Sequence, residues 1–257
     1  MTALFALKNL RLTVPGRTLL DGLTLDLPPG KVIGLIGHNG SGKSTLLKLL
    51  SRQIRPDAGE IRFHGSPLPD WAPRELARNL AYLPQTLPPA EALTVRELAA
   101  LGRYPWHGAL GRPGPRDIAA TSGALDACGL TALAERRVDT LSGGEAQRAW
   151  LAMLVAQDAG TLLLDEPISA LDIAQQVEVL SLIHALPRDK GRSVIAVLHD
   201  LNMAARFCDH VVALRHGRVV FQGSPGALMT PARLFDIYAA RMEVMTRADG
   251  TPVALPL

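Results

Sequence analysis

Apolar and polar residues alternate in the first part of the chain, on both sides of a turn at Pro15-Gly16-Arg17. Residues 5–14 and 19–27 each follow this period of two, which is typical of strands that bury one face. We therefore predict an antiparallel β-hairpin within residues 1–30, ended by Pro28-Pro29-Gly30.

Further along, short apolar runs alternate with helical patterns. Strands are predicted at residues 32–36, 60–64, 79–84, 162–164 and 194–197, and helices at 46–50, 145–156 and 173–186. Strands separated by helices form parallel sheets with right-handed crossovers. The chain is thus predicted to have an α/β fold with a parallel sheet. A hairpin at 211–222 and a C-terminal extension at 223–257 follow, and the last stretch, 243–257, is hairpin-like or loose.

The middle of the chain has a different character, because prolines and glycines interrupt its helical segments. Helices are predicted at residues 95–101 and 117–128, with a loop at 102–115 between them. Core strands are predicted before and after this region. Residues 86–141 are therefore expected to form an inserted helical subdomain.

The amino-acid composition narrows the range of possible functions. The chain is 47% hydrophobic and 20% charged, as in a globular domain. Eleven aromatic residues are too few for a surface that stacks nucleic-acid bases, and a net charge of +3 requires no nucleic-acid partner. We find no secretory signal and no apolar run long enough to cross a membrane, so a cytosolic location is expected. Cys128 and Cys208 are predicted to be buried thiols in a reducing compartment.

A glycine-rich segment follows the apolar run at 32–36 and precedes a helical one. It consists of Gly37, His38, Asn39, Gly40, Ser41, Gly42, Lys43, Ser44 and Thr45. Glycines let the backbone point successive N–H groups at an anion, and the helix that follows adds the positive end of its dipole. The spacing is that of a phosphate-binding loop, or P-loop. Lys43 is expected to reach the β- and γ-phosphates and Ser44 to ligate Mg²⁺.

Two carboxylates, Asp165 and Glu166, end the apolar strand predicted at 162–164. A carboxylate at the carboxyl end of a strand beside a P-loop suits a second Mg²⁺ anchor. We assign this role to Asp165. Glu166 is then placed to orient or deprotonate a water in line with the γ-phosphate.

A second glycine-rich turn, Ser142-Gly143-Gly144, precedes Glu145 and Gln147. Alone it indicates only the start of a helix, with Ser142 as its N-cap. Together with the P-loop and the paired carboxylates, the segment resembles the signature of the ATP-binding subunits of ABC transporters. In that family the signature binds the γ-phosphate of ATP held by the other subunit.

The remaining motifs of this family appear in order. Gln85 resembles the glutamine that contacts Mg²⁺ and the attacking water. Residues 169–172, which include Asp172, resemble the loop that crosses the dimer interface. His199 resembles the switch histidine that contacts the γ-phosphate. The resemblance implies a RecA-like P-loop NTPase core with an N-terminal antiparallel β-subdomain and an inserted helical subdomain. It also implies ATP and Mg²⁺ as cofactors, a homodimer, an integral-membrane permease and, indirectly, a periplasmic or surface substrate-binding protein. The chain itself is then expected to be peripheral, on the cytoplasmic side of the bacterial inner membrane.

Within the family, the chain resembles importers of iron–siderophore complexes, haem and vitamin B12. The resemblance rests on residues 102–112, with Tyr104, Trp106 and His107, and on residues 81–85 before them. The tryptophan-containing form is most similar to ferric hydroxamate importers. The clustered aromatics favour a surface that docks the permease, although a plain solvated loop stays open. Haem or vitamin B12 import, a soluble ABC protein of translation or DNA repair, and a non-catalytic nucleotide sensor are the alternatives.

The chain departs from the family pattern at three places. Ala146 replaces a usual Arg or Gln, Ile168 replaces a common Thr, and the turn at 14–18 lacks the aromatic that usually stacks on adenine. The first two leave the assigned roles intact. The third leaves the ring of Pro15 or the guanidinium of Arg17 to cover the base, unless Arg17 is simply a solvated turn residue.

Overall fold

The structure is a computed structural model of the chain and describes residues 2–108, 111–169, 171–248 and 250–257, with residues 189 and 190 as backbone alone. Its strands are β1 (Phe5–Val14), β2 (Arg17–Leu27), β3 (Val32–Ile36), β4 (Ala58–Phe63), β5 (Ser66–Pro67), β6 (Leu80–Leu83), β7 (Thr161–Leu164), β8 (Ser193–Val197), β9 (His210–Arg215), β10 (Arg218–Gly223), β11 (Met242–Thr246) and β12 (Pro252–Pro256).

Helices fill the spaces between these strands. They are α1 (Lys43–Leu50), α2 (Pro73–Asn79), α3 (Val95–Leu101), α4 (Tyr104–His107), α5 (Pro115–Ala127), α6 (Gly143–Gln157), α7 (Ile173–Lys190), α8 (Leu201–Phe207), α9 (Pro225–Leu228) and α10 (Pro231–Tyr238), with short 3₁₀ turns at Leu68–Asp70, Thr131–Leu133 and Val138–Thr140.

The central sheet runs in the order β10-β9-β3-β8-β7-β6. The strands from β9 to β6 are parallel, and β10 pairs with β9 antiparallel. A second, antiparallel sheet has the order β2-β1-β4-β5, and β11 pairs with β12. The predicted α/β fold, its N-terminal antiparallel subdomain and the helices α3 to α5 inserted between β6 and β7 are therefore present.

Each face of the central sheet packs against a different core. The side chains of β3 are buried along its whole length. Ile33 and Leu35 pack with the N-terminal sheet and α1, whereas Val32 and Ile36 pack with the helices on the other face. Alternate side chains of a strand point to opposite faces, so one short apolar strand supports both layers. The P-loop that follows β3 is thereby held between two packed cores.

Several predicted elements differ from the structure by a few residues at their ends, and others differ more. The predicted loop at 102–115 contains α4, and α2 lies in a stretch for which no element was predicted. α7 continues through Pro187 to Lys190, beyond its predicted end at 186. Residues 243–257, predicted as hairpin-like or loose, form most of the β11–β12 hairpin. α8, α9 and α10 had no counterpart among the predicted elements.

Candidate nucleotide site

The P-loop connects the end of β3 to the start of α1. Three of its glycines have positive φ angles, which are 134° at Gly37, 76° at Gly40 and 104° at Gly42. Residues with a side chain rarely adopt this backbone conformation. A Cβ at Gly37 would lie 2.2 Å from the carbonyl oxygen of Leu214 on β9. Close approach of β9 therefore requires glycine at this position, and the loop curls as the sequence predicted.

Lys43 is the first residue of α1 and is only 5% exposed. Its ammonium donates hydrogen bonds to the carbonyl oxygens of Gly37 at 2.8 Å and His38 at 3.1 Å. Burial lowers the pKa of Lys43, while the carboxylates of Glu166 and Asp165 act in the opposite direction. The charged group thus lies inside the loop and faces the acidic side of the cleft.

Ser44 and Asp165 meet across the base of the site. The Ser44 hydroxyl donates to Oδ1 of Asp165 at 2.8 Å, and Asp165 is 1% exposed. Burial raises the pKa of Asp165, and the bond from Ser44 opposes that rise. A hydroxyl and a carboxylate oxygen side by side are ligands that Mg²⁺ prefers. The two residues therefore fit the ion that the sequence predicted for them.

Glu166 lies between Gln85 and His199. Nε2 of Gln85 donates to Oε2 of Glu166 at 2.8 Å, and Nε2 of His199 is 2.6 Å from Oε1. Glu166 has a φ of 51°, which is uncommon for a residue with a side chain. Both carboxylate oxygens are therefore held in place at the end of β7.

These residues converge on one cleft of about 350 Å³. Its lining consists of Asn39, Gly40, Gly42, Lys43, Ser44, Thr45, Gln85, Glu166 and His199. The cleft thus combines a cationic glycine-rich loop with a carboxylate fixed by two side chains. Such a site suits the binding of a phosphate chain and the positioning of a water against it.

The signature residues lie elsewhere. Within the described chain, none of Ser142, Gly143, Gly144, Gln147 and Asp172 lines that cleft. Ser142 caps α6 in a capping box with Glu145, and Asp172 caps α7 through the backbone N–H of Gln175. A Cβ at Gly144 would lie 2.6 Å from the side chain of Gln175, so the starts of α6 and α7 adjoin. Ala170, in the predicted interface loop, lies outside the described residues.

The structure also brings residues to the site that the sequence did not single out. The Tyr82 hydroxyl hydrogen-bonds to Asp165, and the pKa of Tyr82 is raised to about 12, mainly by burial. The backbone N–H of Gly217, in the β9–β10 turn, donates to the carbonyl of Ser41, and the ring of His216 is 5.2 Å from that of His38. Side chains alternate between the two faces of β6, so the sequence places Tyr82 on the face opposite to that of its neighbours. No local signal in the sequence relates residues 216 and 217 to the P-loop.

Arg17 also contacts the P-loop. Its guanidinium donates to the carbonyl of Gly40 at 2.9 Å while the side chain stays exposed. Arg17 is thus hydrogen-bonded to the P-loop and is more than a solvated turn residue.

The sequence pattern of the ABC transporter family matches residues 20–169, more than half of the chain. The chain belongs to the ABC transporter family. Similar curated relatives include the ferric enterobactin transport ATP-binding protein FepC of Escherichia coli, which is 43% identical over 93% of this chain and 89% of its own length. The achromobactin transport ATP-binding protein CbrD of Dickeya dadantii is 44% identical over 100% and 95% of the two chains. The iron(3+)-hydroxamate import ATP-binding protein FhuC of Bacillus subtilis is 40% identical over 90% and 86%.

Solved structures agree with this assignment. A putative metal-chelate type ABC transporter in an inward-facing conformation superposes with a TM-score of 0.86 at 27% identity, covering 100% of this chain and 98% of that chain. A bacterial ABC transporter cassette solved as a dimer superposes with a TM-score of 0.76 at 26% identity, covering 86% and 98%. The predicted RecA-like P-loop NTPase fold is thereby confirmed.

As an ABC-type ATPase, the chain binds and hydrolyses ATP. Among the helices of the described residues, none has the length and apolar character needed to cross a bilayer.

Proposed function

We propose that this chain hydrolyses ATP to power the import of an iron–siderophore complex, most closely of the ferric hydroxamate class, through a separate permease. The observation that carries the ATPase part is the placement of Lys43 and of the Gln85–Glu166–His199 cluster around one cleft. The cargo is inferred from the siderophore importers among the relatives and from the residues at 102–112. The chain is expected on the cytoplasmic side of the bacterial inner membrane, with a periplasmic or surface binding protein supplying the cargo.

The residues around the cleft suggest distinct roles. The P-loop amides and Lys43 would hold the phosphate chain. The hydrogen-bonded pair Ser44 and Asp165, with Gln85, would hold Mg²⁺, which neutralises phosphate charge when bound. Glu166 would accept the proton of the attacking water as general base. Gln85 and His199 fix its two oxygens, so the base is oriented before substrate arrives.

A second copy of the chain is needed to complete this site. Ser142, Gly143 and Gly144 begin a helix away from the cleft of their own chain, with their backbone N–H groups at its positive end. We infer that they contact the γ-phosphate bound by a second copy, together with Gln147, and that Asp172 lies at the same interface. ATP would then close the dimer and hydrolysis would reopen it.

The proposed permease contact centres on α4. Trp106 is 37% exposed but is bonded to the rest of the molecule. Its Nε1 donates to the carbonyl of Gln157 at 2.7 Å, and its ring lies 5.0 and 5.1 Å from the guanidinium carbons of Arg103 and Arg78. Tyr104, in contrast, is 57% exposed on the same short helix. Trp106 therefore fixes α4, and Tyr104 is the free aromatic for a partner. Residues 109 and 110 of this predicted docking segment lie outside the described residues.

Replacing Tyr104 by alanine is expected to lower co-purification of the permease and transport at least about fivefold, because aromatic residues concentrate binding energy at interfaces. The affinity of the isolated chain for ATP should stay within about twofold of the parent. Phe235→Ala provides the matched control, since Phe235 is 49% exposed on α10. Unchanged uptake by Tyr104→Ala would remove α4 from the interface.

The cargo is tested by growth and uptake. A strain that lacks this chain should fail to take up iron supplied as a ferric hydroxamate, and the intact gene should restore uptake, whereas Glu166→Gln should not. Loss of uptake confined to a ferric catecholate, to haem or to vitamin B12 would assign the chain to that cargo and contradict the hydroxamate proposal. No transport defect at all would favour a non-transport ABC ATPase.

A further inference from the structure

The C-terminal extension, residues 223–257, packs at two places against elements next to the nucleotide site, and the ATPase chemistry explains neither contact. Its α10 packs against β9 and β10, and Nη1 of Arg215 at the end of β9 donates to the carbonyl of Asp236. Its β12 packs against α8, the helix that begins two residues after His199. The extension is thus joined to both the P-loop side and the switch side of the cleft.

The first contact is made by Tyr238 at the end of α10. Its hydroxyl is buried and has no hydrogen bond of standard geometry among the described residues. Burial raises the pKa of Tyr238 to about 12, while the backbone N–H of Gly37 acts to lower it and Asp200 adds to the rise. The phenol therefore stays protonated at neutral pH, and its oxygen lies beside the first amide of the P-loop. The carbonyl of that same Gly37 accepts from Lys43 at 2.8 Å.

The second contact is a two-bond clamp on α8. The side-chain amide of Asn202 donates to the carbonyl of Ala254 at 3.1 Å and accepts from its N–H at 2.8 Å. Asn202 lies in the first turn of α8, which Asp200 caps through the N–H groups of residues 202 and 203. His199 immediately precedes that cap and contacts Glu166. A shift of β12 would therefore move the start of α8 and, with it, the histidine.

We propose that residues 223–257 act as a positioning element for ATP hydrolysis. Tyr238 fixes the position of the P-loop through Gly37, and Asn202 fixes the position of His199 through α8. The Tyr238 hydroxyl completes a hydrogen bond to the Gly37 N–H when the loop tightens on phosphate, since polar contacts in nucleotide-free sites often shorten on binding. The two residues then affect different steps. Tyr238 affects ATP binding, and Asn202 affects the chemical step. The inference concerns hydrolysis itself and does not depend on the transported cargo.

The test compares Tyr238→Phe and Asn202→Ala in the full-length chain by ATP dissociation constant, steady-state KM and kcat, and thermal midpoint. Tyr238→Phe keeps the ring and should raise the ATP dissociation constant and KM about three- to tenfold, as expected for one lost hydrogen bond, with kcat within about twofold. Asn202→Ala should lower kcat about fivefold or more, with KM within about twofold. Asp236→Ala, an exposed change on α10, is the control and should alter none of these values.

Two results would overturn the proposal. One is parental ATP affinity in Tyr238→Phe. The other is an equal loss of kcat in both variants that follows the drop in thermal midpoint, because this would mean that the extension contributes only to folding. A change confined to KM in Tyr238→Phe and a change confined to kcat in Asn202→Ala separate positioning from such a loss of folded protein.

Discussion

Replacing Glu166 by glutamine is expected to lower ATP turnover about 10²- to 10⁴-fold, the usual cost of losing a general base. The amide is nearly the same size as the carboxylate, so it fits between Gln85 and His199, but it offers no group that can take the proton from water. ATP affinity should stay within about threefold of the parent, since the P-loop is untouched. Single-turnover hydrolysis and nucleotide binding on the purified chain measure the two quantities.

Glu91→Gln is the matched control for this change, because Glu91 is exposed and is not among the residues that line the cleft. It should hydrolyse ATP at the parental rate. Parental turnover in Glu166→Gln would show that another group activates the water, and the assignment of the base would then be wrong.

Replacing Lys43 by alanine should weaken ATP binding itself. The ammonium is buried at the start of α1 between two loop carbonyls, where hydrogen bonds from a charged group contribute about 1.5–3 kcal/mol. Affinity should therefore fall about 10- to 100-fold, as measured by equilibrium binding of ATP in the absence of turnover.

Lys8→Ala, an exposed change on β1, tests whether loss of any lysine has this effect and should leave binding unchanged. If Lys43→Ala bound ATP with parental affinity, the loop would hold phosphate through its backbone amides alone, and the role given to Lys43 would have to be withdrawn.

The core of the site could be predicted from sequence because its signals are local. The P-loop spacing predicts a strand, a turn and a helix within a few residues. Asp165 and Glu166 come directly after the apolar strand β7. Gln85 and His199 follow β6 and β8, the two neighbours of β7 in the sheet. The carboxyl ends of parallel strands lie at one edge, so the family motifs meet there although 81 residues separate Gln85 from Glu166.

The surroundings of the site depend on long-range packing that no local pattern records. The segment around Trp106 was predicted as a loop because of its prolines and glycines, yet Arg74 and Arg78 from α2 donate to the carbonyls of Pro105 and Trp106 and hold it as a helix. α7 continues through Pro187 to Lys190, beyond its predicted end at residue 186. The contact of Tyr238 with the P-loop arises only once α10 has docked on β9 and β10.

The central claim is that the ATP site is shared between two copies of the chain, and the mass of the Glu166→Gln variant in solution tests it most directly. Without nucleotide, light scattering should report a monomer near 27.5 kDa. With ATP and Mg²⁺ the mass should double, and adding Ser142→Arg to the same variant should abolish the doubling while leaving ATP bound. A Glu166→Gln chain that binds ATP yet stays monomeric, or one that dimerises equally well with Ser142→Arg, would contradict the account.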